Sequence, residues 1–192
     1  MFLVLTIIAQ IYSLLPTYPA SHFNIRDDHN ASFISSAVIA DPNNRYKSLF
    51  ASPASLPDWF LVMRYKDKRV NMLADHSKHQ NETYNTINNN RILLHIKTLG
   101  TFSTEIVFPV YYSVEQKGSQ ITLTLTKDNS YTRTHIDKFR AEVIIYPSSQ
   151  KGLDIGVVRG YISVGGYSVD MCENQVKWVL DNILQNIAEK VK

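Results

Sequence analysis

The chain has little of what usually announces a chemistry. It holds one cysteine in 192 residues, Cys172, so no disulfide can form within it. That cysteine opens the most regular helical pattern in the chain, and no motif ties a histidine to it. It reads as a small, partly buried side chain and not as a nucleophile. Charged residues are only 19%, and 20 Lys and Arg against 17 Asp and Glu leave a net charge of +3. Nucleic-acid binders gather basic residues on one face. Here they are scattered, apart from Arg64–Arg69 (RYKDKR), which reads as a solvated turn or helix end. No nucleic acid is expected as a partner. The seven glycines form no phosphate loop, and G-x-S-x-G, the P-loop and cysteine clusters are all missing. Gly165-Gly166 is a lone pair where the chain turns from a strand into a helix. No internal repeat or low-complexity tract is present.

Long apolar runs are missing too. Phe2–Leu15 (FLVLTIIAQIYSLL) is uncharged but only 14 residues long, and a membrane-spanning helix needs about 20. The run matches the apolar region of a secretory signal, and Pro16, Pro19, Ala20 and Ser21 follow where cleavage would fall. Two features depart from that pattern. No Lys or Arg precedes the run, and cleavage after Ala20 would put the large Tyr18 where a small side chain is preferred. Residues 1–20 are expected to be a signal peptide, and the protein to be secreted or periplasmic. Residues 21–31 (SHFNIRDDHNA) are polar and read as a linker. Asn30-Ala31-Ser32 and Asn81-Glu82-Thr83 are sequons, which suggests that both segments are exposed.

What is present is a core. Hydrophobic residues reach 44%, enough for one domain, expected over residues 32–192. Ser32–Ala40 has strand character, and Asp41-Pro42-Asn43-Asn44 is a turn. Tyr46–Ala51 is a short strand or helix. Asp58–Tyr65 (DWFLVMRY) follows Pro57 and predicts a short helix. Residues 66–90 are polar and predict mostly loop. From Arg91 the strand signals become regular. Ile92–Lys97 is β-prone, and Phe102–Tyr112 contains Pro109, which suggests an edge or a bulge. Gln120–Thr126 (QITLTLT) alternates strictly, with Ile121, Leu123 and Leu125 on one face and threonines on the other. Phe139–Tyr146 puts Phe139, Ala141, Val143 and Ile145 on one face. Leu153–Val164 is a further strand, whose Gly156 and Gly160 suggest bulges or bends. Such spacing predicts an antiparallel meander.

The last element is the clearest. Asp170 and Glu173 have the spacing of an N-terminal capping pair. Val176, Val179, Leu180, Ile183, Ile187 and Val191 recur at helical spacing on one face, while Lys177, Asp181, Asn182, Gln185 and Lys190 take the others. Burying six such side chains is worth on the order of 10 kcal/mol. A helix of this kind must pack on something, and the only large partner is the sheet. The fold class is α+β: a curved antiparallel sheet packed around a long C-terminal helix.

The histidines give no constellation. His76 and His79, with Asp75 adjacent, have a spacing that can suit zinc on a helix, but the flanks carry no apolar stripe and imply no third ligand. Asp27-Asp28-His29 is similar. His95, in ILLHIK, and His135, two residues before Asp137, are each candidate general bases or ordinary exposed residues. No metal site, cofactor or catalytic residue is assigned. Eleven Tyr, eight Phe and two Trp remain, among them Trp59, Phe60, Phe108, Tyr111, Tyr112 and Trp178. Aromatics along a sheet and its covering helix line either a pocket or an ordinary core.

The order of these elements resembles the START-related superfamily of helix-grip proteins, which includes lipid-transfer and polyketide cyclase-like proteins. The stretches that carry the resemblance are FRAEVIIYP, VVRGYISVGGYSVD and ENQVKWVLDNILQNIAEKVK, within Phe139–Lys192. The resemblance implies a cavity between sheet and helix that holds a lipid or another apolar small molecule. The residues expected to line it are Phe108, Leu123, Ala141, Val143, Trp178 and Ile183. Contact with a membrane surface and a protein partner remain open. Two other readings stand beside binding: a secreted or envelope interaction module without a cavity, and a cyclase-type enzyme using His95 or His135.

Overall fold

The computed structural model describes residues 20–41, 45–51, 55–60, 62–65, 68–71, 90–97, 105–148, 152–166 and 168–191. Outside them lie the expected leader up to residue 19, the Asp75, His76 and His79 group, and the sequon at Asn81. The strictest alternation gives the plainest strand. In β7 (Gln120–Lys127), Ile121, Leu123, Leu125 and Lys127 are buried and the residues between them half-buried. The other long strands are β1 (Ala20–Asp27), β2 (Asn30–Ala40), β5 (Arg91–Lys97), β6 (Glu105–Lys117), β8 (Ile136–Pro147) and β9 (Leu153–Val164). With β7 they form one curved seven-stranded sheet in the order β1-β2-β9-β8-β7-β6-β5. Every neighbouring pair is antiparallel. A separate hairpin joins β3 (Val62–Tyr65) to β4 (Lys68–Asn71).

Among the described residues three helices complete the fold: α1 (Tyr46–Phe50), α2 (Leu56–Trp59) and α3 (Glu173–Lys190), the last entered through a 3-10 turn at Val169–Cys172. Along α3, Leu180, Ile183, Leu184, Ile187 and the following Val191 are buried. The helix packs on β1, β2 and β9 on one side and on β3 and α2 on another. The α+β reading is thus the observed architecture.

Several local expectations were overruled by pairing. Residues 21–31 are not a linker. They form edge strand β1, its turn and the start of β2, with Phe23 opposite Phe33 and Ile25 opposite Ala31. The turn is locked where Asp27 accepts from the His29 N–H at 2.9 Å and the Asn30 amide at 2.8 Å, and where Val169 N–H donates to the Asp28 carbonyl at 2.7 Å. An edge strand leaves much of its surface in water, so polarity alone cannot tell it from a tether. The helix expected over Asp58–Tyr65 stops at Trp59, because Phe60 is extended (φ −83°, ψ 132°), and the chain continues as β3. Of the basic Arg64–Arg69 cluster, Arg64 and Tyr65 lie in β3 and Lys68 and Arg69 in β4, with Arg64 opposite Arg69, so that Lys68–Asn71 of the expected 66–90 loop is strand.

The two strand glycines mark close approach instead of bulges. Register runs evenly through Ala37 opposite Gly156 and Phe33 opposite Gly160. A Cβ on Gly160 would lie 2.0 Å from the Arg140 carbonyl, and one on Gly156 2.4 Å from Ile39 and 2.8 Å from Leu184 of α3. Pro109 sits in a central strand, yet beside an edge. Asp128 N–H donates to its carbonyl at 2.9 Å, just past the last β6–β7 pair, Val110–Lys127. Amide and carbonyl of one strand residue point to the same side, so the missing N–H faces the end of β7, where the ladder stops. At the helix entry the N-cap is Ser168, and Glu173 pairs with Lys177 at 2.6 Å instead of closing a capping box. Asn182, expected on an outer face, is buried.

Candidate functional site

Cross-strand register assembles the concave face of the sheet in rows. Leu123 lies opposite Val143, Val143 opposite Val158, Val158 opposite Ser35 and Ser35 opposite Ser21. The next row runs Tyr112, Leu125, Ala141, Gly160, Phe33 and Phe23. Period-two alternation sends all these side chains to the helix side. Of the six residues expected to line a cavity, Phe108, Leu123, Ala141, Val143 and Ile183 are all buried in one hydrophobic cluster. Leu123 and Val143 are direct partners, and the Phe108 and Phe139 rings meet edge to face at 5.5 Å. The sixth, Trp178, belongs to α3, and its side chain lies outside the described residues.

One aromatic the pattern could not rank becomes central. Trp59 is wholly buried against Phe50 (5.3 Å between ring centroids) and Phe60 (5.8 Å). Its indole N–H donates to the Ser55 hydroxyl at 3.2 Å, and its carbonyl accepts from Asn186 of α3 at 3.1 Å. Tyr112 reaches the same group, its hydroxyl donating to the Phe50 carbonyl at 2.6 Å. Burial pushes the Tyr112 phenol far above its ordinary range, so it stays a protonated donor.

Polar groups enter this face at its margins. Lys127 is buried, and its ammonium donates to the Tyr131 and Asp128 carbonyls at 2.8 and 3.3 Å. Asp128 pairs with Arg91 at 2.8 Å and accepts from the Ser130 hydroxyl at 2.6 Å and the Ser130 N–H at 2.9 Å. The Ser130 hydroxyl leads in holding the Asp128 carboxyl below the usual range, against burial, and Arg91 adds to it. This cluster closes the turn between β7 and β8. At the far end of the sheet, Tyr46 is pushed up to about 12 by burial and by the carboxylates of Asp154 and Asp41. Toward the β1 edge of the face two hydroxyls stand out. The Oγ atoms of Ser21 and Ser35, cross-strand partners, are buried with no hydrogen-bond partner among the described residues.

Among the described side chains, no candidate histidine lies on this face. His135 is exposed in the turn before β8, its carbonyl accepting from Gly165 N–H at 2.8 Å. His95 lies in β5 opposite Val107, and its side chain is outside the described residues. Asp27, Asp28 and His29 form the β1–β2 turn. No group of three or more metal-ligating side chains occurs among the described residues.

No protein-family model matches the chain, and no curated protein matches it by sequence. Solved structures match in shape. A STAR-related lipid transfer protein from Xanthomonas axonopodis superposes with a TM-score of 0.51 at 15% identity, covering 92% of this chain and 94% of its own. Human STARD10 gives 0.53 at 7% identity, covering 92% of this chain and 70% of its own. A START superfamily protein from Mycobacterium smegmatis gives 0.50 at 15% identity, covering 85% and 97%. At these identities the likeness is one of fold, and the fold of this chain is the START-like helix-grip fold.

Proposed function

We propose that the chain binds a hydrophobic small molecule or lipid between its sheet and its C-terminal helix. The observation that carries this reading is the concave face itself: rows of apolar side chains crossing the sheet in register beneath an amphipathic helix. Support also comes from the START-like neighbours, one of them named a lipid transfer protein. An apolar ligand there would gain about 25 cal/mol for each Å² it removes from water. The small Ala141, between Leu125 and Gly160, is where such a ligand would meet least side chain. A hydroxyl or carbonyl on the ligand would supply the partner that the Ser35 hydroxyl lacks among the described residues.

The test is a screen of fatty acids, phospholipids and sterols on the purified full chain. At least one raises the melting temperature, by about 2.7 kcal/mol of stabilisation at a hundred times its dissociation constant, and changes Trp fluorescence. Ala141→Phe abolishes the effect while the protein stays folded. Should no lipid shift the melt and Ala141→Phe simply unfold the chain, the interior is a filled core, and a protein-interaction module becomes the better reading.

We further infer that the protein is exported and loses about its first 20 residues, a leader of the kind that signal peptidase removes. Support comes from the uncharged 14-residue run Phe2–Leu15 and the Pro16, Pro19 and Ala20 that follow it; cleavage after Ala20 would cost β1 only its first residue, the partner of Ser36. N-terminal sequencing of native protein decides it, and an intact Met1 in a cytoplasmic fraction would sink it.

A further inference from the structure

The face of the sheet turned away from α3 carries a groove of about 540 Å³ across β1, β2, β9 and β8, within the range of small-molecule sites. Register builds it, row by row. His22, Ile34, Arg159 and Glu142 form one row, and Asn24, Ser32, Tyr161 and Arg140 the next. Arg26 lines it too. It is the extra residue where β1 slips register between Ile25 and Asp27, the kind of bulge that re-aims a side chain. Ser32 is short, so the second row dips between its longer neighbours. Ile34 and Tyr161 stay 45% and 42% exposed.

The charges are unbalanced, and those of Arg140, Arg159 and Glu142 are held in place. Three guanidinium groups face one carboxylate, a surplus of two positive charges. Glu142 takes Arg140 on Oε1 at 2.7 Å and Arg159 on Oε2 at 2.7 Å. Burial opposes its ionisation, but the hydrogen bonds from Arg140 and Arg159 outweigh that and hold its carboxyl below the usual range. Glu142 therefore works as an anionic post that orients two forks. The Arg159 contact uses Nε, leaving both terminal nitrogens for another acceptor. Arg26 makes no ion pair among the described residues.

A carboxylate ligand would neutralise one of the two surplus charges. A phosphate monoester carries about −1.5 to −2 at pH 7 and three acceptor oxygens suited to guanidinium forks. We propose that this groove binds a phosphate ester, with Arg26, Arg140 and Arg159 on its oxygens and Tyr161 and Ile34 against its organic part. The site is on the opposite face from the apolar interior and stands or falls independently of it.

The full chain is titrated calorimetrically with phenyl phosphate and with benzoate, and floated with phosphatidylcholine vesicles with and without phosphatidic acid. Phenyl phosphate is expected to bind about tenfold or more tightly than benzoate, and Arg26→Ala and Arg159→Ala each to weaken it by about tenfold, one lost charge-assisted pair. Lys117→Ala, an equal loss of charge at a lysine that does not line the groove, leaves binding unchanged. Binding of phenyl phosphate identifies a soluble ester. Flotation with phosphatidic acid alone, lost in the same two variants, identifies a phosphate borne by a membrane. The proposal is overturned if neither probe binds, if both arginine variants bind as wild type does, or if Lys117→Ala loses as much as they do. Arg26→Ala breaks no ion pair among the described residues, and an unchanged melting temperature is the check that the variant stays folded.

Discussion

The side-chain amide of Asn186 donates to the main-chain carbonyl of Trp59 at 3.1 Å, joining α3 to α2 across 127 residues of chain inside a buried layer. Removing that donor leaves a buried carbonyl without it. Asn186→Ala should cost about 1–3 kcal/mol, read as a lower urea midpoint with an unchanged m-value. An effect within error would mean that the contact does not hold α3 in place.

Ile183 lies at the centre of the apolar stripe of α3 and is buried in the hydrophobic cluster. Ile183→Asp puts an unpaired charge there and should unfold the domain, a loss of about 4 kcal/mol or more. Lys190→Ala, at an exposed position near the helix end, should stay within about 0.5 kcal/mol of wild type. Circular dichroism melts compare the two, and equal stability would refute the packing described.

Gly160→Ala and Gly156→Ala should differ in severity. The first drives a Cβ to 2.0 Å from the Arg140 carbonyl, which belongs to a paired strand and cannot swing aside. The second meets the tips of Ile39 and Leu184, which can change rotamer. We expect a loss of about 2 kcal/mol or more for Gly160→Ala and a smaller one for Gly156→Ala. The reverse order in denaturant melts would contradict the close approach at Gly160.

Asp128 makes stability depend on pH. Its folded pKa lies below the unfolded value, chiefly through Ser130 and then Arg91. The stabilisation is therefore fully present above the unfolded carboxylate pKa of about 3.9 and is lost as pH falls through the folded one. Asp128→Asn should lower the urea midpoint by a constant amount above pH about 5, the gap closing below about 4. A gap that persists at low pH would show that the carboxylate charge plays no part.

Ser35→Ala should leave the ligand-free protein as stable as wild type or raise it by up to about 1 kcal/mol, since it removes a buried hydroxyl without a partner. The variant should also bind a fatty alcohol no better than the matching hydrocarbon. A loss of stability above about 1 kcal/mol would mean that the hydroxyl is satisfied in the folded state.

How much of this was legible can be judged residue by residue. The period-two pattern of Gln120–Thr126 and the helical stripe from Val176 to Val191 named most of their own buried faces, because side-chain direction follows from the local backbone geometry. Leu123 on its strand, and Ala141 with Val143 on theirs, could therefore be assigned to apolar faces before any pairing was known, while the joining of those faces into one surface was implied only by the helix-grip resemblance. Asn182 could not, since the width of a buried stripe depends on what lies beside the helix, and here α2 and β3 cover part of it.

What the chain by itself determined was the set of elements with strong period, the α+β class and the apolar faces that must meet. The tertiary structure decided that residues 21–31 are an edge strand and that Trp59 belongs under α3. It also decided that Arg26, Arg140 and Arg159 share a groove with Glu142. The physical reason is range. Periodicity acts over a few residues, whereas β2–β9 and β8–β9 register joins positions that sequence spacing leaves far apart. Only that register places Glu142 opposite Arg159, and Ser32 beside Tyr161.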